Sequence, residues 1–256
     1  MEYFLAFLGL SAIAAFVGGI IYWGIRQSKK WKGNLQRLAL ENDWLYTPGG
    51  WTTAAAVEGY TFQLPVKVDS YTVSTGKSST TYTRIEVTAP VEGQLEVKQE
   101  GFVQSLGKAF LGEDVQVGIP AVDEELLIRG DPATIFAMLD ADTRAAMMHA
   151  ADEGCIIEDG QVKIVVTGLV MDYDRLKALS DMACYIADRL AGDDRTILER
   201  LAHNAVSDPN FGFRVRCFEY LCELDHRGER ARAVAEAFTQ TGNLFKNFGS
   251  FFGRQF

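Results

Sequence analysis

The stretch Leu126-Leu127-Ile128-Arg129-Gly130-Asp131-Pro132 joins a strand signal to a helix signal and decides the fold class. Leu126–Ile128 is a short apolar run of the kind that forms strands. Asp131 is a favoured helix N-cap, and Pro132 fits the first helical turn because its missing N–H would have no helical partner there. A strand that leads directly into a helix, with further strand and helix patterns on both sides, predicts an α+β fold.

Alternating apolar residues before this stretch predict half-buried antiparallel strands. One strand face carries Tyr60, Phe62, Leu64, Val66 and Val68. Further strand patterns follow at residues 85–89 and 95–97. Pro65 cannot donate a ladder hydrogen bond, so we expect its strand at an edge or at a bulge.

After the stretch, helices continue to about Glu153, and a hairpin follows. Residues 155–157 and 162–166 flank the turn sequence Glu158–Gln161. Apolar residues from Leu176 to Leu190 are then spaced 3, 4, 3 and 4 apart, which predicts an amphipathic helix that ends at Gly192. These elements predict a mixed or antiparallel-sheet α+β domain over residues 50–192.

The chain begins with an apolar segment. Tyr3–Ile25 contains 23 residues without a charged side chain, and about 20 helical residues cross a bilayer. We therefore predict a transmembrane helix in an anchor region of residues 1–32. A cleaved signal peptide has a positive charge before its apolar run, and none precedes this segment. We therefore expect a retained, single-pass signal anchor.

Basic and aromatic residues at the end of this segment predict its orientation. Cytoplasmic flanks carry an excess of Lys and Arg, which places the N-terminus outside the inner or plasma membrane and the body in the cytoplasm. The candidate membrane-interface residues are Trp23, Arg26, Lys29, Lys30, Trp31 and Lys32. A linker helix is expected over residues 33–49, ended by the Thr47–Gly50 breaker.

Small residues recur every four positions at Ser11, Ala15 and Gly19. They share one helix face and would let a second helix approach closely. The alternative is that Ala and Gly are simply common in membrane helices.

Residues 193–242 are wholly helical in pattern, with helices near 195–206, 211–225 and 228–241. The segment Asp208-Pro209-Asn210-Phe211-Gly212-Phe213-Arg214-Val215-Arg216-Cys217-Phe218-Glu219-Tyr220-Leu221 resembles the turn and second helix of a single HEAT-type hairpin. The resemblance implies a helical docking region in which Arg214 bonds Asp208 or another acidic cap, with Arg216 as a solvated neighbour. One hairpin cannot bury a solenoid core, so we expect it to pack on the α+β domain or on a partner.

The predicted tail, residues 243–256, carries a stripe of aromatic residues. Phe245, Phe248, Phe252 and Phe256 fall on one helix face. Exposed phenylalanine is costly, so we expect the stripe to be buried against the chain's own domain, a partner or the membrane interface.

Charge excludes one class of partner. The 256 residues carry a net charge of −9, and residues 1–37 carry +4, which leaves −13 for the remainder. Phosphate contacts from Lys and Arg supply most nucleic-acid affinity, so we expect no nucleic-acid partner.

No catalytic, cofactor or metal motif is evident in the sequence. Gly76-Lys77-Ser78 lacks the earlier glycine of a phosphate-binding loop and joins two strand patterns, so it reads as a hairpin tip. The four cysteines lack zinc spacing and are expected to be buried thiols. His149 with Asp152 and Glu153 could hold a metal but suits a solvated helix end, and the Asp pairs at 172/174 and 193/194 suit helix caps. We therefore predict no cofactor, no metal and no catalytic residue.

The order of elements resembles that of membrane-anchored bacterial α+β proteins of unknown function. Together these patterns predict a non-enzymatic interaction or accessory subunit of a membrane protein complex. Two alternatives stay open. A membrane-tethered, hydrolase-like enzyme would need His149 within reach of two carboxylates, and a membrane-surface sensor would need an apolar ligand pocket in the α+β domain.

Overall fold

The computed structural model describes residues 2–50, 53–76, 78–91, 94–99, 114–191, 195–225 and 228–240. In the first helix, side chains are described for residues 16–20 and from 22 onward. The Phe-rich tail, with Phe245, Phe248, Phe252 and Phe256, lies outside the described residues.

Eight helices occur in the described residues. They are α1 Glu2–Asn42, α2 Pro120–Glu125, α3 Pro132–Met138, α4 Ala141–Ala151, α5 Tyr173–Ala191, α6 Ile197–Ser207, α7 Phe211–Leu224 and α8 Glu229–Gln240. The last three match the predicted C-terminal helices closely.

Eight strands also occur there, and the fold class is α+β as predicted. The strands are β1 Leu45–Thr47, β2 Ala56–Thr61, β3 Leu64–Ser74, β4 Ser79–Thr88, β5 Leu95–Gln99, β6 Leu126–Gly130, β7 Cys155–Glu158 and β8 Gln161–Thr167. Thr75–Ser78 connects β3 to β4, so the Gly-Lys-Ser segment falls in a strand-to-strand connection as expected.

The predicted transmembrane helix is wrong. No helix in the described part of the chain is both long enough and apolar enough to cross a bilayer. Arg26, Lys29, Lys30 and Lys32 follow the apolar residues on the same helix. The signal-anchor and single-pass predictions, and the membrane topology built on them, fail with it.

The anchor and the linker helix were expected as separate elements, but α1 is continuous from Glu2 to Asn42. No proline interrupts it, and Gly33 is tolerated at a cost of about 1 kcal/mol. The predicted linker is therefore the C-terminal part of one long helix.

The chain forms two compact units, each made of separate segments. Unit 1 comprises residues 1–61, 65–85 and 166–180. Its strands follow the order β1-β2-β3-β4, and α1 packs on β1 and β2. Leu35 and Leu38 of α1 are fully buried, as are Val57 and Val68 on the strands. The Asn34 side-chain amide also donates to the carbonyl of Met171 at 3.0 Å.

Unit 2 comprises residues 62–64, 86–165 and 181–256. Its strands follow the order β8-β7-β5-β6, with antiparallel pairing of β5 with β6 and β7 and of β7 with β8. Helices α6, α7 and α8 pack on one another, and α6 and α7 pack on α3. Every residue of α3 from Ala133 to Met138 is buried. The C-terminal helices α6 and α7 are therefore joined to the sheet through α3, which itself contacts β6.

Local signals from the sequence are confirmed at helix starts and at one turn. The Asp131 carboxylate accepts from the backbone N–H of Thr134 at 2.8 Å and caps α3. Asp172 likewise accepts from the N–H of Arg175 at 2.9 Å. Glu158 pairs with Gln161 in the predicted β7–β8 hairpin, whose turn holds Asp159 and Gly160 at positive φ. Asp193 and Asp194 lie outside the described residues.

Candidate functional site

A run of exposed apolar side chains lies on α1, over residues 16–20 and 22–25, which we call the α1 apolar segment. Phe16, Ile20 and Trp23 are 70%, 55% and 63% exposed and are spaced four and three residues apart. This spacing places them on one helix face. A Cβ added at Gly18, Gly19 or Gly24 would meet no atom within 4 Å. The Phe16, Ile20 and Trp23 side chains of this segment are therefore largely open to solvent.

The residues predicted for a membrane interface have different environments. Trp31 is buried, at 4% exposure, and Lys32 is half-buried. Arg26, Lys29 and Lys30 are exposed and follow the apolar segment. Of the predicted pairing residues, Gly19 is exposed, and the side chains of Ser11 and Ala15 lie outside the description. Of the predicted interface residues, Arg26, Lys29 and Lys30 are therefore exposed, whereas Trp31 is buried.

A polar cleft of about 460 Å³ lies in unit 2. Asp140–Asp142 contribute the start of α4, Arg189 lies near the end of α5, and residues 203–209 contribute the end of α6 and its turn. Asp140 caps α4 by accepting from Thr143 N–H at 2.9 Å, and Arg189 donates to the same carboxylate. The cleft therefore lies where three helix ends meet.

Asp208, which lines this cleft, belongs to a buried ion pair. The Arg144 guanidinium donates to both carboxylate oxygens of Asp208, at 3.0 and 2.9 Å. It also donates to the Leu139 carbonyl at 2.6 Å and lies 4.0 Å from the centre of the Phe213 ring. The Asp208 carboxylate in turn accepts from Asn210 N–H at 2.8 Å. One arginine thus joins the α3–α4 connection to the α6–α7 turn.

A buried amide supports the same junction. The Asn204 side chain donates to the carbonyls of Phe136 and Ala137 at 2.9 and 3.0 Å. Carbonyls in the last turn of a helix have no helical partner, so this amide satisfies the end of α3 from α6. Helices α6 and α7 are therefore held to α3 by polar bonds and by packing.

The structure does not bring Arg214 to Asp208, because Arg144 occupies both oxygens of that carboxylate. The Arg214 guanidinium lies 5.5 Å from the Phe211 ring. Arg216 pairs with Glu219 at 3.1 Å on the surface. Sequence reasoning missed Arg144, since it lies 64 residues before its partner. The local sequence indicates only that Arg144 lies in the first turn of a helix, because Asp140 caps that helix by accepting from Thr143 N–H.

The cleft is poorly suited to acid–base catalysis. Asp140 and Asp208 are both bound by arginine, and Asp142 lies 3.9 Å from Arg189. A catalytic histidine needs a hydrogen-bonded partner that orients its ring, yet within the described residues the imidazole side chains of His203 and His149 have no hydrogen bond and no ion pair. The same part of the chain holds no group of three potential metal ligands.

The cysteines are unsuited to nucleophilic chemistry. Burial raises the pKa of the Cys155 thiol to about 12 and of the Cys222 thiol to about 11. Burial, with the nearby Asp208 charge, also raises the pKa of Cys217. The thiolate is the reactive form, so these thiols are inert near neutral pH.

Comparisons with protein-family models, with curated proteins and with solved structures found no match to this chain. Its function is therefore inferred from the geometry of its own residues.

Proposed function

We propose that the protein is a non-enzymatic interaction subunit that binds an apolar helix of a partner protein through the α1 apolar segment. The observation that carries this proposal is the exposure of Phe16, Ile20 and Trp23 on one face of α1, whereas Leu35 and Leu38 further along the same helix are fully buried. Burying a large apolar side chain is worth about 1.5–3 kcal/mol. A contiguous exposed apolar patch of this kind is typical of a binding surface.

The shape of the segment favours a helical partner. A helix face with residues spaced i, i+4 and i+7 fits the groove of another helix. Gly18 and Gly19 have open space around them, so a partner backbone could approach closely.

Charge favours a different protein over a second copy of this chain. Arg26, Lys29 and Lys30 are exposed directly after the apolar face. A parallel copy would place these positive charges together, whereas an apolar helix with an acidic flank would neutralise them. Charge complementarity of this kind sets partner choice and orientation.

The polar cleft supports a binding role over an enzymatic one. Its two least exposed carboxylates are bound by Arg144 and Arg189, which hold helices together. These ion pairs therefore stabilise the packing of the helices of unit 2.

Two synthetic helices would test the proposal directly. They would share one alternating Leu/Ala face and differ in a flank of three glutamates or three lysines. We expect the glutamate peptide to quench or shift Trp23 fluorescence with at least tenfold higher affinity than the lysine peptide. Ile20→Glu should abolish that binding. Leu40→Glu, a matched change at an exposed leucine elsewhere on α1, should not.

Three outcomes would contradict the proposal. These are equal affinity for the two peptides, self-association of the chain by sedimentation that Ile20→Glu removes, and retention by phosphatidylcholine/phosphatidylglycerol vesicles in place of peptide binding. In the supporting case, the charge-reversed Lys29→Glu/Lys30→Glu variant would prefer the lysine peptide.

A further inference from the structure

The α1 apolar segment carries exposed apolar side chains on a second face of the helix. Tyr22 and Ile25 are 69% and 52% exposed. They are three residues apart, so they are neighbours on the helix surface. At about 100° per residue, they lie about 160° and 140° around the helix axis from Ile20. This second face is therefore distinct from the face that Phe16, Ile20 and Trp23 share.

The buried residues of α1 indicate which side of the helix is turned toward unit 1. Trp31 and Leu38 are buried, at 4% and 0% exposure. Ile20 lies within about 20° of both around the helix axis, whereas Tyr22 and Ile25 lie at least about 120° from both. The face with Ile20 thus continues the buried side of α1, and the second face belongs to the side that is turned toward solvent.

Packing within unit 1 does not account for apolar residues on this second face. The solvent side of a helix normally carries polar side chains. Lys29 and Gln36 follow this rule, since both are exposed at angular positions between those of Tyr22 and Ile25. A helix that is apolar on opposite sides is usually enclosed by other elements. Because Tyr22 and Ile25 are largely open to solvent in the folded chain, a partner would have to supply that enclosure.

The shape of the second face allows another helix to approach closely. Gly18 has an angular position between those of Tyr22 and Ile25. A Cβ added at Gly18 would meet no atom within 4 Å, so the space beside its backbone is open. A partner backbone could therefore come close to α1 there.

The charge next to the second face specifies what that helix should carry. Lys29 is exposed and lies four residues after Ile25 and seven after Tyr22, on the same face. Lys30 lies seven residues after Trp23 and so belongs to the first face. Each apolar face is thus followed by its own lysine, and an acidic residue on each partner helix would complement it.

We propose that α1 is enclosed between two helices of the partner. The second helix packs on Tyr22 and Ile25 and places an acidic residue against Lys29. This rests on the proposed function, which assigns the first helix to the face of Ile20. Packed helices have axes about 8–10 Å apart, so the two partner helices would lie about 16–20 Å apart, with α1 between them.

The test counts how many glutamate-flanked peptides, as described above, bind the full chain in isothermal titration calorimetry. We expect two peptides per chain. Ile20→Glu and Ile25→Glu should each reduce this number to one, and the double variant should bind none. The Trp23 fluorescence response reports the first face, so it should be lost in Ile20→Glu and kept in Ile25→Glu. Leu40→Glu is the matched control and should leave two, because Leu40 is exposed at the angular position of Tyr22 but about 27 Å further along the helix.

Two lysine variants test the charge assignment at the second face alone. In the Ile20→Glu chain, Lys29→Gln should weaken binding of the remaining peptide by about two- to fivefold, the effect of one exposed ion pair. Lys30→Gln in the same chain should leave that affinity unchanged. Equal weakening by the two changes would overturn the pairing with Lys29.

The second face is refuted if the parent chain binds one peptide. If Ile20→Glu then removes that peptide, the proposed function stands without a second helix. Loss of both peptides in Ile20→Glu would also refute it, because that result indicates a peptide dimer on one face. Two peptides per chain in Ile25→Glu would do the same, as would retention by phosphatidylcholine/phosphatidylglycerol vesicles that Ile25→Glu removes. Absence of any peptide binding would overturn both proposals.

Discussion

Arg144→Met should cause a large loss of stability, because it would leave the Asp208 carboxylate buried and almost without partners. The side chains of Arg144 and Asp208 are 6% and 1% exposed. After the change, the hydrogen bond from Asn210 N–H would be the one remaining described bond to that carboxylate. Removing one partner of a buried ion pair costs about 3–5 kcal/mol.

The lost bond to the Leu139 carbonyl adds about 1 kcal/mol. A typical domain has a free energy of unfolding of about 5–15 kcal/mol, so the variant should be close to unfolding at physiological temperature. With a urea m-value of about 2 kcal/mol/M, the unfolding midpoint should fall by about 2 M. Far-UV circular dichroism during urea titration would measure this shift.

A double-mutant cycle separates the ion pair from the loss of packing. Arg144→Met/Asp208→Leu removes both charges, and we expect it to recover much of the lost stability, since apolar replacement of a buried pair is often neutral. Arg216→Met is the control. Its pair with Glu219 is exposed, so the change should cost less than about 1 kcal/mol. Equal midpoints for Arg144→Met and Arg216→Met would refute the assigned role of Arg144.

Two further changes test local packing and a charged cap. Gly59→Ala should destabilise the chain by about 1–3 kcal/mol, because the new Cβ would lie 2.2 Å from Trp44 Cδ1. The control Gly33→Ala should be neutral or stabilising, because its Cβ would meet no atom within 4 Å. Equal thermal midpoints for the two variants would contradict the close approach of Trp44 to Gly59. The hydrogen bond from Ala231 N–H lowers the pKa of the Asp225 carboxyl in the folded chain. The ionised carboxylate therefore stabilises the fold at pH values above the unfolded pKa of about 3.9. That stability is lost as the pH falls through the lower pKa of the folded state. Asp225→Asn should be less stable than the parent at pH 7, with the gap closing below about pH 4 in urea titrations; a constant gap at every pH would exclude this linkage.

Local signals in the sequence predicted many elements of this fold. Asp131 followed by Pro132 predicted the start of α3, and the turn at Glu158–Gln161 predicted the β7–β8 hairpin. Such features depend on bonds between residues two to four positions apart, so a short window of sequence contains both partners. The three C-terminal helices were predictable for the same reason, since their apolar residues repeat at the helical period.

The predictions that failed concern the environment of a segment. The apolar residues of α1 predicted a membrane span, but composition does not reveal what surrounds a helix. Trp31 was predicted at a membrane interface because of its position after the apolar run, yet it is buried, as are Leu35 and Leu38 on the same helix. Residues that line a cavity together with Trp31, such as Ser70 and Leu169, are distant in sequence.

Partner choice for buried charges was likewise decided by the tertiary structure. The resemblance to a HEAT-type hairpin implied that Arg214 would bond Asp208 or another acidic cap, whereas the arginine that bonds Asp208 is Arg144 of α4, from 64 residues away. The sequence by itself determined where helices and strands begin and end, because hydrogen bonds and caps within them are local. Only the folded chain decided which side chains meet across those elements, because burial and ion pairing depend on contacts between residues far apart in sequence.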